Sequence, residues 1–242
     1  MPTKPPPDLH KNRYLHQAMR PVHMLVFVAP LLAMFHIRLI GLNTSELLAH
    51  RHIGEVLNFF GATGWFLPGL AVVAVLLGQQ VVGRHRWRIR PLVPVMMVAE
   101  SIAWMLPLVA LAHLAGRLVA SQPVDESIFT TLSLSIGAGI YEEFLFRQVL
   151  IGVALLIFVD VFDLPKQTVA IVAMGVAAIA FSLYHPDVWS GREMFSGQLL
   201  WTSAVFKAVA GLYLGAVFLL RGYGIVVGAH ALYNIYVAFW GA

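Results

Sequence analysis

The chain has 242 residues, of which 59% are hydrophobic and 12% are charged, and its formal net charge at pH 7 is +4. Soluble domains carry about 25% charged residues, so this composition argues against a soluble globule, a disordered chain and a nucleic-acid-binding domain. The absence of cysteine excludes disulfides, thiolate zinc sites and a cysteine nucleophile. Because a membrane-spanning helix needs about 20 apolar residues, we predict an all-α, polytopic transmembrane helix bundle of about seven spans, within a range of about six to eight.

The predicted elements follow from the apolar runs. Residues 1–21 form a polar, basic, proline-rich tail, and the run 22–37 predicts a first transmembrane helix that is not removed as a signal peptide. Residues 43–63 have the mixed composition of an interfacial segment. The other predicted spans are 65–82, 92–115, one within 128–158, 168–185, 198–220 and 224–240.

The basic segments predict the orientation. Four arginines, Arg84, Arg86, Arg88 and Arg90, surround Trp87 between the second and third spans. A nucleic-acid or heparin site is one interpretation, and a cytoplasmic loop that follows the positive-inside rule is the favoured one. Since two spans separate this loop from the basic tail, both lie on the same side. We expect a multi-pass protein of the bacterial inner membrane with its N-terminus in the cytoplasm.

Charged and imidazole side chains inside the predicted spans are candidate functional residues. A charge at the centre of a bilayer costs about 3 kcal/mol or more, so it is retained for a reason. The densest group lies in the fourth span. The candidates are Glu100, Glu142, Glu143, Arg147, Lys207, His113, His185 and His230.

The two adjacent glutamates of the fourth span have different surroundings. Glu143 and Arg147 are four residues apart, in the favourable orientation for an ion pair. Successive helical residues point about 100° apart, so Glu142 faces elsewhere and has no cation on its own helix. Such a carboxyl stays protonated or finds a partner on another helix, which suits a general base. The alternative is an ion-paired cluster that only stabilises helix packing.

Two later spans carry imidazoles. Phe181 and His185 share a helix face, and the following proline favours a helix end at His185. His230 and Asn234 share a face in the last span and could simply be hydrogen-bonding residues between helices. His185 alone could equally be an interfacial residue. Together the three groups supply a carboxylate, two imidazoles and a carboxamide, which can activate a water and polarise a carbonyl.

These residues carry a resemblance to a known family. The chain resembles the CPBP family of intramembrane endopeptidases, also called the CAAX protease, Abi or bacteriocin-processing family, which includes type II CAAX prenyl endopeptidases. The motif EExxxR appears at 142–147, FxxxH at 181–185 and HxxxN at 230–234, in the order typical of the family. The resemblance covers about residues 128–240, and we predict a catalytic helix bundle over 121–242, preceded by accessory transmembrane helices over 22–120 that match the family only in being apolar.

The resemblance implies endoproteolysis near the C-terminus of a membrane-bound, membrane-attached or lipidated protein or peptide, with the lipid bilayer as the other partner and no nucleic acid. Glu142 would activate water, His185 would hold it, and His230 with Asn234 would stabilise the oxyanion. Glu143, Arg147 and Phe181 would support the site. No cofactor is certain, although Glu142, His185 and His230 could bind a divalent metal such as zinc.

The predicted depths of Glu142 and His185 in the membrane do not agree. A helix that begins at Ile128 would carry Glu142 about 21 Å into the membrane, whereas His185 ends its span near the surface. We therefore predict a helix start or kink within about three residues of Gly139. On the predicted orientation, the site opens outward, away from cytosolic prenylated substrates.

Two non-proteolytic functions are the alternatives. One is a non-catalytic membrane protein of the same fold, acting in binding or immunity. The other is a transporter, which the charges Glu100 and Lys207 favour slightly because they could line a path. These two side chains could also pair with each other or support the active site.

Overall fold

The computed structural model describes residues 13–40, 47–115, 127–185 and 198–240. Within these ranges there are nine helices and no strand, so the all-α prediction is confirmed. The sixth helix changes from α-helical to π-helical hydrogen bonding at Phe144 without a break. The helices are α1 (Arg13–Ala18), α2 (Pro21–Leu39), α3 (Leu48–Phe59), α4 (Leu67–Val82), α5 (Leu92–Leu114), α6 (Ile128–Val161), α7 (Lys166–Tyr184), α8 (Gln198–Arg221) and α9 (Tyr223–Trp240).

A helical membrane bundle accounts for this architecture. In the described part of the chain, five helices are long and apolar enough to cross a membrane: α2, α5, α6, α7 and the segment Ala204–Arg221 of α8. Helix α4 is apolar but has 16 residues. Helix α9 has 18 residues, and its first half, through Ala231, is buried by other helices. The count of seven spans stays a prediction.

The ends of several helices meet on one side of the bundle. The backbone N–H of Val22, at the start of α2, donates to Oε1 of Gln80, near the end of α4, at 3.2 Å. The N–H of Arg90, just before α5, donates to Nε2 of His23 at 3.2 Å. The structure thus brings the start of the first predicted span and the arginine-rich loop to the same end of the bundle.

The glycines near the candidate glutamates have a packing role. Helix α6 runs unbroken through 128–161, so the predicted helix start near Gly139 is wrong, and the alternative of a kink there stays a prediction. A Cβ on Gly139 would lie 2.9 Å from Cβ of Ala231, and one on Gly137 would overlap the ring of Phe35. These glycines therefore allow α9 and α2 to approach α6 closely, and they do not interrupt it.

One main hydrophobic core joins the two predicted parts of the chain. Its buried members include Phe35 on α2, Leu76 on α4, Met97 on α5, Ile140 on α6 and Val226 on α9. Residues of the predicted accessory helices therefore pack directly against residues of the predicted catalytic bundle.

Glu100 belongs to a polar cluster at the end where α2 and α5 begin. Its carboxylate accepts hydrogen bonds from Nε and Nη2 of Arg221, the second at 2.8 Å. Tyr14 donates to the same carboxylate at 2.6 Å, and Trp104 donates at 3.1 Å. These partners connect α1, α5 and α8, so the charge of Glu100 is explained by a structural ion pair with Arg221. The sequence pointed to Lys207, not Arg221, as a partner for Glu100.

Candidate active site

Three helices bring Glu142, His185 and His230 together. Oε2 of Glu142 lies 3.9 Å from Nε2 of His185 and 3.8 Å from Nε2 of His230. The Glu142 side chain retains 17% of its accessible surface, and that of His185 retains 24%. These groups form a polar centre that is sheltered but still reachable from outside the bundle.

The lengths of α6 and α7 explain how Glu142 and His185 become level. Glu142 lies 19 residues before the end of α6 at Val161, and His185 lies 19 residues after the start of α7 at Lys166 (161 − 142 and 185 − 166). Because a short turn joins the two antiparallel helices, equal spacing brings the two side chains to the same height. The N-terminal end of α6 extends beyond the end of α7. Glu142 and His185 can therefore lie at the same height although α6 begins at Ile128.

His185 closes α7 as the sequence predicts. The helix ends at Tyr184, and His185 adopts an extended conformation with φ −80° and ψ 127°. Its Nδ1 lies 2.8 Å from the carbonyl oxygen of Phe181. A carbonyl can only accept, so Nδ1 carries the proton. In the neutral ring Nε2 is then an acceptor that faces Glu142.

Glu143 lies at the centre of a fully buried ion-pair network. Arg147 donates from Nη1 to Oε1 of Glu143 at 3.0 Å, and neither side chain has accessible surface. This confirms the predicted ion pair. Oε1 of Glu143 also lies 2.7 Å from Nδ1 of His230. The network therefore links α6 to α9 as well as stabilising one turn of α6.

Arg147 is held by partners on two further helices. Its Nη2 donates to the backbone carbonyl of Gly211 on α8 at 3.0 Å. Its guanidinium carbon lies 4.5 Å from the centre of the Phe181 ring, within the range of a cation–π contact. The Phe181 ring also contacts His185 edge-on, with ring centres 4.7 Å apart. Phe181 thus separates the buried cation from the imidazole that faces Glu142.

Asn234 stands apart from the cluster. It lies one turn beyond His230 on α9 and is half-buried. Within the described part of the chain its carboxamide makes no hydrogen bond to Glu142, Glu143 or either imidazole. The structure therefore brings three of the four predicted catalytic side chains together, with the carboxamide nearby.

Sequence reasoning missed two contacts beside the site. The hydroxyl of Tyr184 lies 2.6 Å from Nδ1 of His52 on α3. The hydroxyl of Tyr141 lies 3.3 Å from Nε2 of His36 on α2. Each tyrosine directly precedes a predicted catalytic residue, which is a usable signal in the sequence. No sequence pattern pointed to their histidine partners.

The predicted zinc ligands are close but are not arranged as a metal site. Zinc takes imidazole nitrogen and carboxylate oxygen ligands at about 2.0–2.2 Å. In the described ranges no group of three or more His, Cys, Asp or Glu side chains is arranged to hold a metal ion. The zinc site stays a prediction.

An open apolar groove begins one turn after Glu142. It runs along the C-terminal half of α6 and has a volume of about 580 Å³. Phe146, which lines it, packs edge-on against Tyr184 with ring centres 5.1 Å apart. The residues that line the groove are Leu145, Phe146, Val149, Leu150, Val153, Ala154, Ile157 and Phe158.

Comparison with known proteins points to a family of proteases. No curated protein and no solved structure matches the chain. The family model described as type II CAAX prenyl endopeptidase Rce1-like matches residues 124–236, which include all three motifs and the whole cluster around Glu142. The match agrees with the resemblance drawn from the motifs. Over residues 124–236, the chain is therefore similar to the Rce1-like type II CAAX prenyl endopeptidases, and its apolar helices fit an integral membrane protein of that kind.

Proposed function

We propose that this protein is an intramembrane endopeptidase that cleaves near the C-terminus of a membrane-attached or lipidated protein or peptide. The observation that carries the proposal is the convergence of Glu142 with the Nε2 atoms of His185 and His230, from three separate helices. A carboxylate and two imidazoles at this spacing can hold and deprotonate one water molecule. The family match supports the same class of reaction.

The first step uses Glu142 as the general base. A water held between Glu142 and His185 can donate one proton toward each, because Nε2 of His185 is an acceptor. Glu142 takes a proton as the water oxygen bonds to the scissile carbonyl carbon. In the second step the C–N bond breaks, and the leaving amine receives that proton from the carboxylic acid of Glu142.

His230 is the candidate oxyanion donor, under one condition. Its Nδ1 proton is engaged by the carboxylate of Glu143 at 2.7 Å. Nε2 can donate to an oxyanion only if the ring is doubly protonated, with Glu143 as its counter-ion. Asn234 would contribute a second donor when the substrate occupies the space between α7 and α9.

Glu143 and Arg147 act in this proposal by positioning His230. Arg147 is tied to Gly211 on α8, Glu143 is tied to Arg147, and His230 is tied to Glu143. This continuous chain of hydrogen bonds orients the imidazole without a contact to the substrate. Preorganised sites depend on supporting hydrogen bonds of this kind.

The apolar groove beside the site suits the hydrophobic part of a substrate. It begins at Leu145 and continues along α6 for three turns. A lipid chain or an apolar helix of the substrate could lie there with the scissile peptide bond at Glu142. The lipid bilayer is the other partner, and we place the protein in the bacterial inner membrane.

Zinc, if bound, would be held by Glu142, His185 and His230, and would polarise the carbonyl or lower the pKa of bound water. No step above is assigned to it. Turnover that survives 1,10-phenanthroline, with metal content measured before and after, would assign the chemistry to the side chains. Loss with recovery on adding zinc would assign it to a metal enzyme.

The test compares cells that carry the native chain with cells that carry Glu142→Gln at equal abundance. New protein C-termini in the membranes are mapped by mass spectrometry. We expect a set of C-termini that appears only with the native chain. Asp163→Asn is the matched control, because it makes the same carboxylate-to-carboxamide change at an exposed position whose φ of 54° suits asparagine.

Identical C-terminal profiles, with both proteins folded, would reject the protease. They would favour the alternatives, a non-catalytic binding or immunity protein of this fold or a transporter. A profile lost in both Glu142→Gln and Asp163→Asn would show that the loss does not report on the site.

A further inference from the structure

We infer that the site around Glu142 opens on the non-cytoplasmic side of the membrane, so that its substrates are membrane-anchored polypeptides whose C-terminal region is exposed on that side. The orientation rests on helix ends and charges alone. The substrate class rests in addition on the proposed function.

The first observation is a cluster of arginines at one end of the bundle, here called the basic face. It comprises Arg20 and the loop arginines Arg84, Arg86, Arg88 and Arg90. Gln80, itself buried, donates to the backbone carbonyls of His85 and Arg86 and holds the loop at this end. Arg20 and Arg90 both lie within electrostatic range of His23 at the start of α2. The basic face therefore combines the N-terminal segment and the loop between α4 and α5.

The second observation is that the site lies toward the opposite end. Tyr141, next to Glu142, contacts His36 in the last turn of α2. His36 is 15 residues from Pro21, so this contact lies about 22 Å along α2 from the basic face. Tyr184, next to His185, contacts His52 on α3. Helix α3 follows the far end of α2, so we call this end of the bundle the α3 face.

The third observation is a polar rim beside the site. Helix α3 carries Arg51 and Glu55, whose side chains are 57% and 62% exposed, and His52, which bonds Tyr184. Exposed charges of this kind require water or lipid headgroups, not hydrocarbon. The site thus borders the membrane surface at the α3 face and is separated from the surface at the basic face by most of the bundle's length.

The positive-inside rule then orients the molecule. In the described ranges the basic face and the nearby start of α7 carry Arg20, Arg84, Arg86, Arg88, Arg90 and Lys166, whereas the α3 face carries Arg38 and Arg51. Short loops rich in Lys and Arg stay in the cytoplasm. The basic face is therefore cytoplasmic, and the α3 face with the site beside it is not. A prenylated protein of the cytosol would meet the wrong end of the bundle.

The experiment uses the natural absence of cysteine in this chain. Asn58→Cys places one thiol at an exposed position of the α3 face, and His85→Cys places one at an exposed position of the basic face. Intact spheroplasts are treated with a membrane-impermeant sulfonated maleimide, and a second sample is treated after permeabilisation. We expect Asn58→Cys to label in intact spheroplasts and His85→Cys to label at least tenfold more after permeabilisation.

The reverse pattern, or equal labelling of both thiols in intact spheroplasts, would overturn the inference. Neither result depends on proteolysis, so the proposed function could survive it, as judged by the Glu142→Gln comparison. If the orientation holds but the Glu142-dependent C-termini belong to cytosolic proteins, the substrate class is overturned. Glu142-dependent C-termini on exported, membrane-anchored polypeptides would support it.

Discussion

Nδ1 of His230 lies 2.7 Å from the buried carboxylate of Glu143, whose same oxygen accepts from Arg147 at 3.0 Å. One carboxylate oxygen thus binds both a guanidinium and the imidazole that faces Glu142. The two adjacent glutamates therefore have different roles: Glu142 is open to a reacting water, and Glu143 is enclosed. Substitutions at Glu143, His185 and Gly139 test this division and the packing that creates it.

Substitutions at Glu143 and Arg147 should change the free energy of unfolding and the turnover rate in different ways. Glu143→Gln leaves Arg147 buried without a counter-ion, which should lower the free energy of unfolding by about 3–5 kcal/mol. The double variant Glu143→Gln with Arg147→Met removes both charges and should recover most of that loss. Turnover should remain low in both variants, because His230 loses the carboxylate that acts as its counter-ion. Thermal unfolding in detergent and the rate of substrate cleavage are the measurements.

If the double variant regained both stability and turnover, the pair would have only a structural role. If it regained neither, the loss would come from packing around Arg147, since Arg147 also contacts Phe181 and Gly211.

His185 should matter for rate more than for folding. His185→Gln removes an imidazole whose side chain is 24% exposed, so the unfolding temperature should change little. Loss of the acceptor at Nε2, which holds the water for deprotonation by Glu142, should lower kcat by about 100-fold. Steady-state kinetics with a peptide identified by C-terminal mapping would measure this. A change confined to KM would assign His185 to substrate binding.

The contact between α6 and α9 depends on a glycine. A Cβ at Gly139 would lie 2.9 Å from both Cβ and the backbone nitrogen of Ala231, so Gly139→Ala must push α9 away. We expect a loss of about 1–3 kcal/mol in unfolding free energy and a fall in activity, because α9 carries His230. Gly175→Ala is the control, since nothing lies within 4 Å of a Cβ there.

Gly175→Ala should raise the free energy of unfolding by about 0.5–1 kcal/mol, because alanine favours a helix interior. Equal effects of the two substitutions would mean that the contact between Gly139 and Ala231 is not close in solution.

His50 should make the fold sensitive to acid. It is buried on α3 and lies 3.1 Å from the carbonyl oxygen of Trp65, to which Nε2–H donates. Burial, and then the neighbouring His36, lowers the pKa of His50 from 6.5 to about 4. Because the folded state favours the neutral ring, this stabilisation is complete above pH 6.5 and is lost as the pH falls from 6.5 toward 4.

His50→Gln keeps a donor for Trp65 and does not titrate. We expect its unfolding temperature to fall less steeply than that of the native protein between pH 6.5 and 4. His85→Gln, at an exposed position, should leave the native slope unchanged. Parallel slopes for all three proteins would contradict a buried, neutral His50.

Much of the helical layout follows from local patterns, because helix formation and membrane spanning depend on short apolar runs. The predicted end of span 5 at His185 holds because the next residue is proline. The predicted pair of Glu143 and Arg147 holds because both lie on one helix face. The predicted helix start near Gly139 fails because the absence of a side chain at this glycine allows close packing against Ala231, which comes from a distant part of the chain.

The amino-acid sequence by itself determined the helical membrane class, the separation of Glu142 from Glu143 and the three motifs, since each depends on spacing within one helix. Only the tertiary structure decided which atoms meet. The contacts of Glu142 with His185 and His230, of Glu143 with His230, and of Glu100 with Arg221 depend on helix register. Register is set by the overhang of α6 beyond α7 and by close packing at Gly139, which no local pattern encodes.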